Sequence, residues 1–227
     1  MTPGLSFKHP VLKVLSAFSL LCIIMVIMRI GYTGNFKYSF LIWNLFLGWI
    51  PLFFVLLLRK NEGIHKSTIR SSLLLISWLL FFPNAPYMLT DLVHLLNRQR
   101  IPLWYDLIMI LSFAWTGLLT GFVSLIEIQH FFTEKFGKAV SWFLTIVALV
   151  LGSFGVYLGR YGGFNSWDVI ANPFELSRDI LAMLINPLHH SQMYAMTFFF
   201  SCFLILAYLT LFILIHSKNI STQREKN

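Results

Sequence analysis

Apolar positions in this chain gather into six long runs, covering 11–28, 39–58, 71–95, 103–126, 139–158 and 194–215, with short polar connections between most of them. A hydrocarbon core of about 30 Å takes roughly 20 helical residues to cross, so each run reads as a candidate span. Lipid offers no partners to backbone N–H and C=O groups, which makes the α-helix the element that every run predicts. The first run is too long for a removed leader and no small-residue cleavage site follows it, so it reads as a retained span. The pattern predicts an all-α polytopic transmembrane bundle of about six spans, with residues 1–227 forming a single transmembrane domain.

The third run departs from the others. Pro83 and Pro86 interrupt it, and Asn84, Tyr87, Asp91 and His94 follow at spacings of three, four and three. Proline removes a backbone donor and pushes the residue before it away from helical geometry, so the helix is expected to kink or unwind around Asn84 and then resume. On a resumed helix those four polar residues share roughly one face. The longest connection, 159–193, also carries a helix signal. Asn172-Pro173-Phe174-Glu175 supplies a capping residue, a proline at the first helical position and an acid in the first turn. It predicts an amphipathic helix to about Ile185, ended by Asn186-Pro187, with Phe174, Leu176, Ile180, Leu181, Met183 and Leu184 in the interface and Glu175, Arg178 and Asp179 in water. Such a helix would lie over the outer mouth of the bundle.

Composition agrees with this class: 57% of residues are hydrophobic, 11% are charged and the mean hydropathy is +0.74, against roughly 25% charged in a soluble domain. The net charge of +8 is a topology signal. With the N-terminus inside, eleven basic and four acidic residues lie on the cytoplasmic face, and six and five on the outer face, which leaves +7 and +1. That asymmetry predicts a multi-pass protein of the bacterial cytoplasmic membrane with both termini cytoplasmic. The bilayer and its anionic lipids account for the positive charge, and no nucleic-acid partner is implied. Cys22 and Cys202 sit inside apolar runs without metal-ligand spacing and read as packing residues.

Depth decides which polar groups can meet. At about 1.5 Å per residue from Ser71, Asn84 stands roughly 20 Å up, Asp91 roughly 30 Å and His94 roughly 35 Å. Asp106 opens the fourth span at that boundary and Arg160 closes the fifth, while Asn165, Trp167, Asp168, His189 and His190 lie in the adjoining loop. Glu127-Ile-Gln-His130 has the E-x-x-H spacing of half a di-iron site. It falls about 31 Å from Asp106, at the opposite boundary, with no second copy of the motif at its depth.

Several roles stay open for these residues. Asn84 and Tyr87 either contact a ligand or satisfy backbone groups freed by the prolines. Asp91 and His94 could form an acid–base pair, two ligands of a zinc site or a structural pair. Arg160 either pairs with Asp91 or Asp168 or holds an anion in its planar fork. Trp167 fits the aromatic belt better than a stacking platform. His189 and His190 point about 100° apart on a helix, so at most one joins a common site. Gly117-Leu-Leu-Thr-Gly121 and Gly155-Val-Tyr-Leu-Gly159 read as close-packing surfaces on the fourth and fifth spans.

Phe82-Pro-Asn-Ala-Pro-Tyr-Met-Leu-Thr-Asp-Leu-Val-His-Leu95 and Tyr157-Leu-Gly-Arg-Tyr-Gly-Gly-Phe-Asn-Ser-Trp-Asp-Val169 resemble the two signature segments of the bacterial membrane-protein family catalogued as domain of unknown function 1361. Both occur in order in a chain of the expected size, and the second departs from the pattern at Gly162 and Gly163. The resemblance implies a polytopic membrane protein and brings no activity, substrate or cofactor with it.

The expectation is therefore an outward-facing polar pocket at the ends of spans three, four and five, under a lid from the 159–193 loop. Its candidate ligand-binding residues are Asn84, Tyr87, Asp106, Arg160, Asn165, Trp167, Asp168 and His189, and its ligand is a polar or anionic headgroup on a lipid or lipid-linked molecule. As an enzyme it would be a membrane hydrolase or transferase, metal-dependent in one version, with Asp91 and His94 as catalytic residues. As a transporter or accessory protein it would bind its ligand at the broken span. A transporter of six spans without a three-plus-three repeat would be expected to form a homo-oligomer. The residues name no cofactor and settle no metal.

Overall fold

A computed structural model describes residues 9–60, 68–96 and 101–224. Lys8, Glu62, Lys66, Arg98, Arg100, Glu225 and Lys226, counted above for orientation, lie outside these residues. Among the described residues every regular element is a helix. Helices α1 (His9–Thr33) and α2 (Phe40–Lys60) are the first two spans. The third is composite: α3 (Thr68–Phe81), a single turn α4 (Asn84–Tyr87) and a 3₁₀ segment (Met88–Leu96). Then come α5 (Leu103–Phe136), α6 (Lys138–Tyr161), the short α7 (Asp168–Ala171), α8 (Pro173–Ile185) and α9 (Ser191–Arg224). Six stretches are long and apolar enough to span, so the protein is an all-α polytopic transmembrane bundle. We call the end that carries 162–190 the loop end.

Helix α5 is the centre of the bundle. It packs against α1, α2, α4, the 3₁₀ segment and α6, while α9 packs on α6. One apolar core, with Trp78, Phe82, Phe122, Leu125, Leu149 and Tyr208, joins α3, α5, α6 and α9. A second, with Cys22, Val26, Leu41, Met88, Met109 and Phe113, joins α1, α2, the 3₁₀ segment and α5 toward the loop end. Cys22 is buried there with its Sγ 3.7 Å from Thr116 Oγ1, in keeping with a packing role.

The break at the prolines is sharper than a kink. After α4 the chain continues as 3₁₀ helix for nine residues, where a resumed α-helix was expected. Three residues per turn bring positions i and i+3 into register, so Asp91 and His94 stand one above the other. Two carbonyls at the end of α3 are answered locally. Asn84 Nδ2 donates to the Phe81 carbonyl at 2.9 Å, and Ser166 Oγ of the loop donates to the Leu80 carbonyl at 3.0 Å.

Glycines make room for this segment. A Cβ on Gly121 would stand 2.8 Å from Ala85 Cβ, one on Gly155 would stand 2.5 Å from Pro83 Cγ, and one on Gly152 would stand 2.8 Å from the Phe82 ring. Gly117 lies against the Ala85 carbonyl and Met88, and Gly48 of α2 against the end of Met88. The G-x-x-x-G faces of α5 and α6 thus receive the broken third span, and three helices carry one glycine-lined seat for residues 82–88. The loop end turns on Gly163, whose φ of +72° lies in the left-handed region. Gly162 beside it has no space for a Cβ, which would fall 2.7 Å from the Leu158 carbonyl oxygen. The glycine pair is therefore what this turn needs.

Helix α8 has the bounds that its sequence signal suggests. Asn172 holds the N-cap position, but its side chain makes no cap hydrogen bond, a correction to the capping role expected of it. Leu176 is the one buried residue of α8, while Phe174, Leu181 and Ile185 are exposed.

Candidate functional site

Arg160, in the last turn of α6, is the hub of a polar cluster on the broken span. Its Nη2 donates to Asp91 Oδ1 at 2.6 Å and its Nε to Thr90 Oγ1 at 2.9 Å, and Nη1 lies 3.5 Å from His94 Nε2. Its guanidinium stacks 4.7 Å over the Tyr87 ring. Asp91 is fully buried, and its second oxygen accepts from Asn44 Nδ2 of α2 at 3.0 Å. The carboxylate is thereby held on both oxygens by groups from two other spans. His94 Nε2 is 3.9 Å from Asp91 Oδ1, the His94 ring meets Phe40 edge-on, and its carbonyl accepts from Tyr38 Oη at 3.1 Å.

Beside this cluster lies a cavity of about 420 Å³, within the size range of small-molecule sites. Trp43, Asn44 and Leu47 of α2 form one wall, Ile76, Leu79 and Leu80 of α3 a second, and Leu151, Phe154 and Leu158 of α6 a third. Leu176 and Ile180 of α8 cover it from the loop end. Its polar lining is Asn44, Asn84, Tyr87, Asn165 and Ser166. Asn84 Nδ2 also donates to Ser166 Oγ at 2.8 Å, which ties the loop to the break. Trp43, Ile76 and Leu151 line the cavity while remaining 53%, 64% and 44% exposed, so it opens sideways between spans.

The structure sorts the expected residues. Asn84, Tyr87 and Asn165 line the cavity; Asp91, His94 and Arg160 form the ion cluster behind it and do not line it. Asp106 belongs elsewhere. Its two oxygens take Nε and Nη2 of Arg29 at 2.8 and 3.2 Å, and Arg29 is 1% exposed. This second ion pair connects α1 to α5. The Arg29 guanidinium lies 4.1 Å over the Tyr38 ring, so Tyr38 touches both ion clusters. Burial, with a smaller push from the Asp106 carboxylate that Arg29 opposes, raises the Tyr38 phenol and keeps it a donor to the His94 carbonyl.

Three other candidates fall outside the cavity lining. Trp167 is exposed outside the cavity, and Asp168 is used within its own turn, where Oδ2 accepts the Asn165 N–H at 2.6 Å. His189 is exposed in the turn before α9 and is not part of the lining. Among the described residues no group of three His, Cys, Asp or Glu is placed to hold a metal. Glu127 is at the other end of α5, buried and paired with Arg59 at 2.5 Å. Arg29, Arg59 and Arg160 thus pair with carboxylates of neighbouring spans.

Sequence reasoning passed over Asn44, Thr90 and Ser166. Asn44 did leave a signal: it is the single carboxamide in an otherwise apolar second span, and a polar side chain at that depth needs a partner. Ser166 left none, because its role follows from the path of the loop.

The arrangement defines a class: a multi-pass membrane protein with a buried ion cluster and a lateral, amide-lined cavity beside it. The chain belongs to the family described as protein of unknown function (DUF1361), whose sequence profile matches residues 43–220. No curated protein and no solved structure matches it.

Proposed function

We propose that this protein binds a membrane lipid or lipid-linked molecule in the cavity between α2, α3 and α6. The observation that carries the reading is the position of the cavity. It lies between membrane-spanning helices, its walls are apolar, three of its wall residues are exposed, and its three carboxamides and two hydroxyls gather where the third span breaks. An apolar chain would lie against Leu79, Leu151 and Phe154 and the head against Asn84 and Ser166. The ion cluster then acts as a positioning device: Asp91 fixes Asn44, and Arg160 fixes Tyr87, both of which line the cavity.

In this reading Asp91 and His94 position the site and do not react, Asp91 being fully buried and held by Arg160 and Asn44. The test is native mass spectrometry of protein purified in mild detergent. The wild type should retain a molecule of lipid mass, and Leu151→Trp, which fills the cavity from its exposed rim, should lose it while keeping the wild-type elution profile. Equal retention by the two proteins would refute the proposal.

A further inference from the structure

We infer that helix α8 lies in the plane of the membrane as the outer wall of the cavity, with the stripe Phe174, Leu181 and Ile185 set into the headgroup–acyl boundary of the bilayer. This holds whatever molecule the cavity contains.

The path of the chain brings α8 alongside the spans. Arg160, in the last turn of α6, meets the third span at Thr90 and Asp91. Ser166, farther along, meets it at Leu80 and Asn84. The loop has therefore turned back toward the middle of the bundle before α8 begins. Leu176 and Ile180 then line a cavity that reaches Ile76 of α3 and Leu151 of α6. Leu151 stands roughly 15 Å before the end of α6 at Tyr161.

The helix itself divides into sectors. At about 100° per residue, Leu176, Ile180 and Met183 fall within roughly 60° of one another. They are its inner apolar side, Leu176 buried and the other two half-buried. Phe174, Leu181 and Ile185 share a second line within roughly 40°, about 150° around from the first. These three are 91%, 57% and 72% exposed. Glu175, Arg178, Asp179 and Ala182 occupy one edge, roughly at right angles to the stripe. On the other edge come Leu184 and Ser177, and Ser177 Oγ donates to the Pro173 carbonyl at 2.6 Å, so it needs no water.

These sectors match three surroundings. With the inner side on the bundle and the charged edge turned to water, the stripe faces sideways, and beside a spanning bundle that direction is lipid. Left in water, the three side chains would form an apolar patch of the kind that soluble surfaces avoid. A helix with such a stripe and one charged edge is the form that lies in a membrane interface. Trp43, Ile76 and Leu151, exposed on the spans around the same cavity, extend the lipid-facing surface.

The test is nitroxide accessibility in the full chain, in nanodiscs of phosphatidylcholine and phosphatidylglycerol. Cys202 is replaced by alanine, and Cys22, fully buried, is left in place. Labels on Leu181→Cys and Ile185→Cys should collide more with oxygen, which partitions into lipid, than with a water-soluble nickel chelate. Labels on Glu175→Cys and Ala182→Cys should show the reverse order; two positions in each sector guard against one variant that fails to fold. Nickel contact at 181 and 185 equal to that at 175 and 182 would put the stripe in water and overturn the inference. Shielding of 181 and 185 from both agents would put a protein surface over the stripe, a second copy or another chain, and would overturn it equally.

Discussion

Asp106→Asn is expected to destabilise the protein by about 3–5 kcal/mol, the cost of stripping a buried charge of its partner. Arg29 is 1% exposed, grips both Asp106 oxygens, and lies on the Tyr38 ring. An asparagine keeps the shape and loses the charge, so the guanidinium stays buried without its counter-ion. The helix start adds to the loss, since an acid in the first turn of α5 also meets the positive end of the helix dipole. Equilibrium unfolding in mixed detergent micelles measures the effect. Arg29→Met with Asp106→Leu removes both charges and should recover most of the stability, because an apolar pair of similar volume often equals a buried ion pair. A change below about 1 kcal/mol for Asp106→Asn would show that water reaches Arg29 and that the pair is not a buried one.

The glycine seat gives the second large effect, and two of its members should behave differently. At Gly117 an added methyl meets the Ala85 carbonyl oxygen at 2.5 Å as well as Met88, and the backbone of a clamped turn cannot yield. At Gly48 it meets the flexible end of Met88 at 2.7 Å, and its next neighbour, Ala85 Cα, is at an ordinary 3.6 Å. Overpacking of this kind costs about 1–3 kcal/mol. Gly117→Ala should stay that costly in a Met88→Ala background, whereas Gly48→Ala should become nearly neutral there. The same unfolding assay, run as two double-mutant cycles, decides the matter. Full relief of Gly117→Ala by Met88→Ala would mean that the Ala85 backbone is free to move and that the seat is not rigid.

Much of this architecture could be read along the chain. Long apolar runs leave one solution for the backbone in lipid, so all six spans were legible, and Asn172-Pro173 with Asn186-Pro187 bounded α8. Pro83 and Pro86 announced the break. What followed it was not legible: Met88–Leu96 is 3₁₀ and not α-helix, and Met88 and Ala85 seat against glycines of other spans. The Asp91–Arg160 contact could be anticipated from shared depth. Depth alone also placed Asp106 with them, and it went instead to Arg29. Helix α5 touches both α1 and the 3₁₀ segment, and which of the two Asp106 turns to is a property of packing in three dimensions that one-dimensional spacing does not record. His189 sits in a turn that leaves it exposed, a placement that sequence spacing does not record either.

The central claim is that a lipid occupies the space between α2, α3 and α6, and an experimental map of the protein in lipid nanodiscs tests it most directly. The account expects elongated density along Leu79, Leu151 and Phe154, ending within hydrogen-bond reach of Asn84 and Ser166. A cavity holding only water, or closed by the Trp43 and Ile76 side chains, would contradict it.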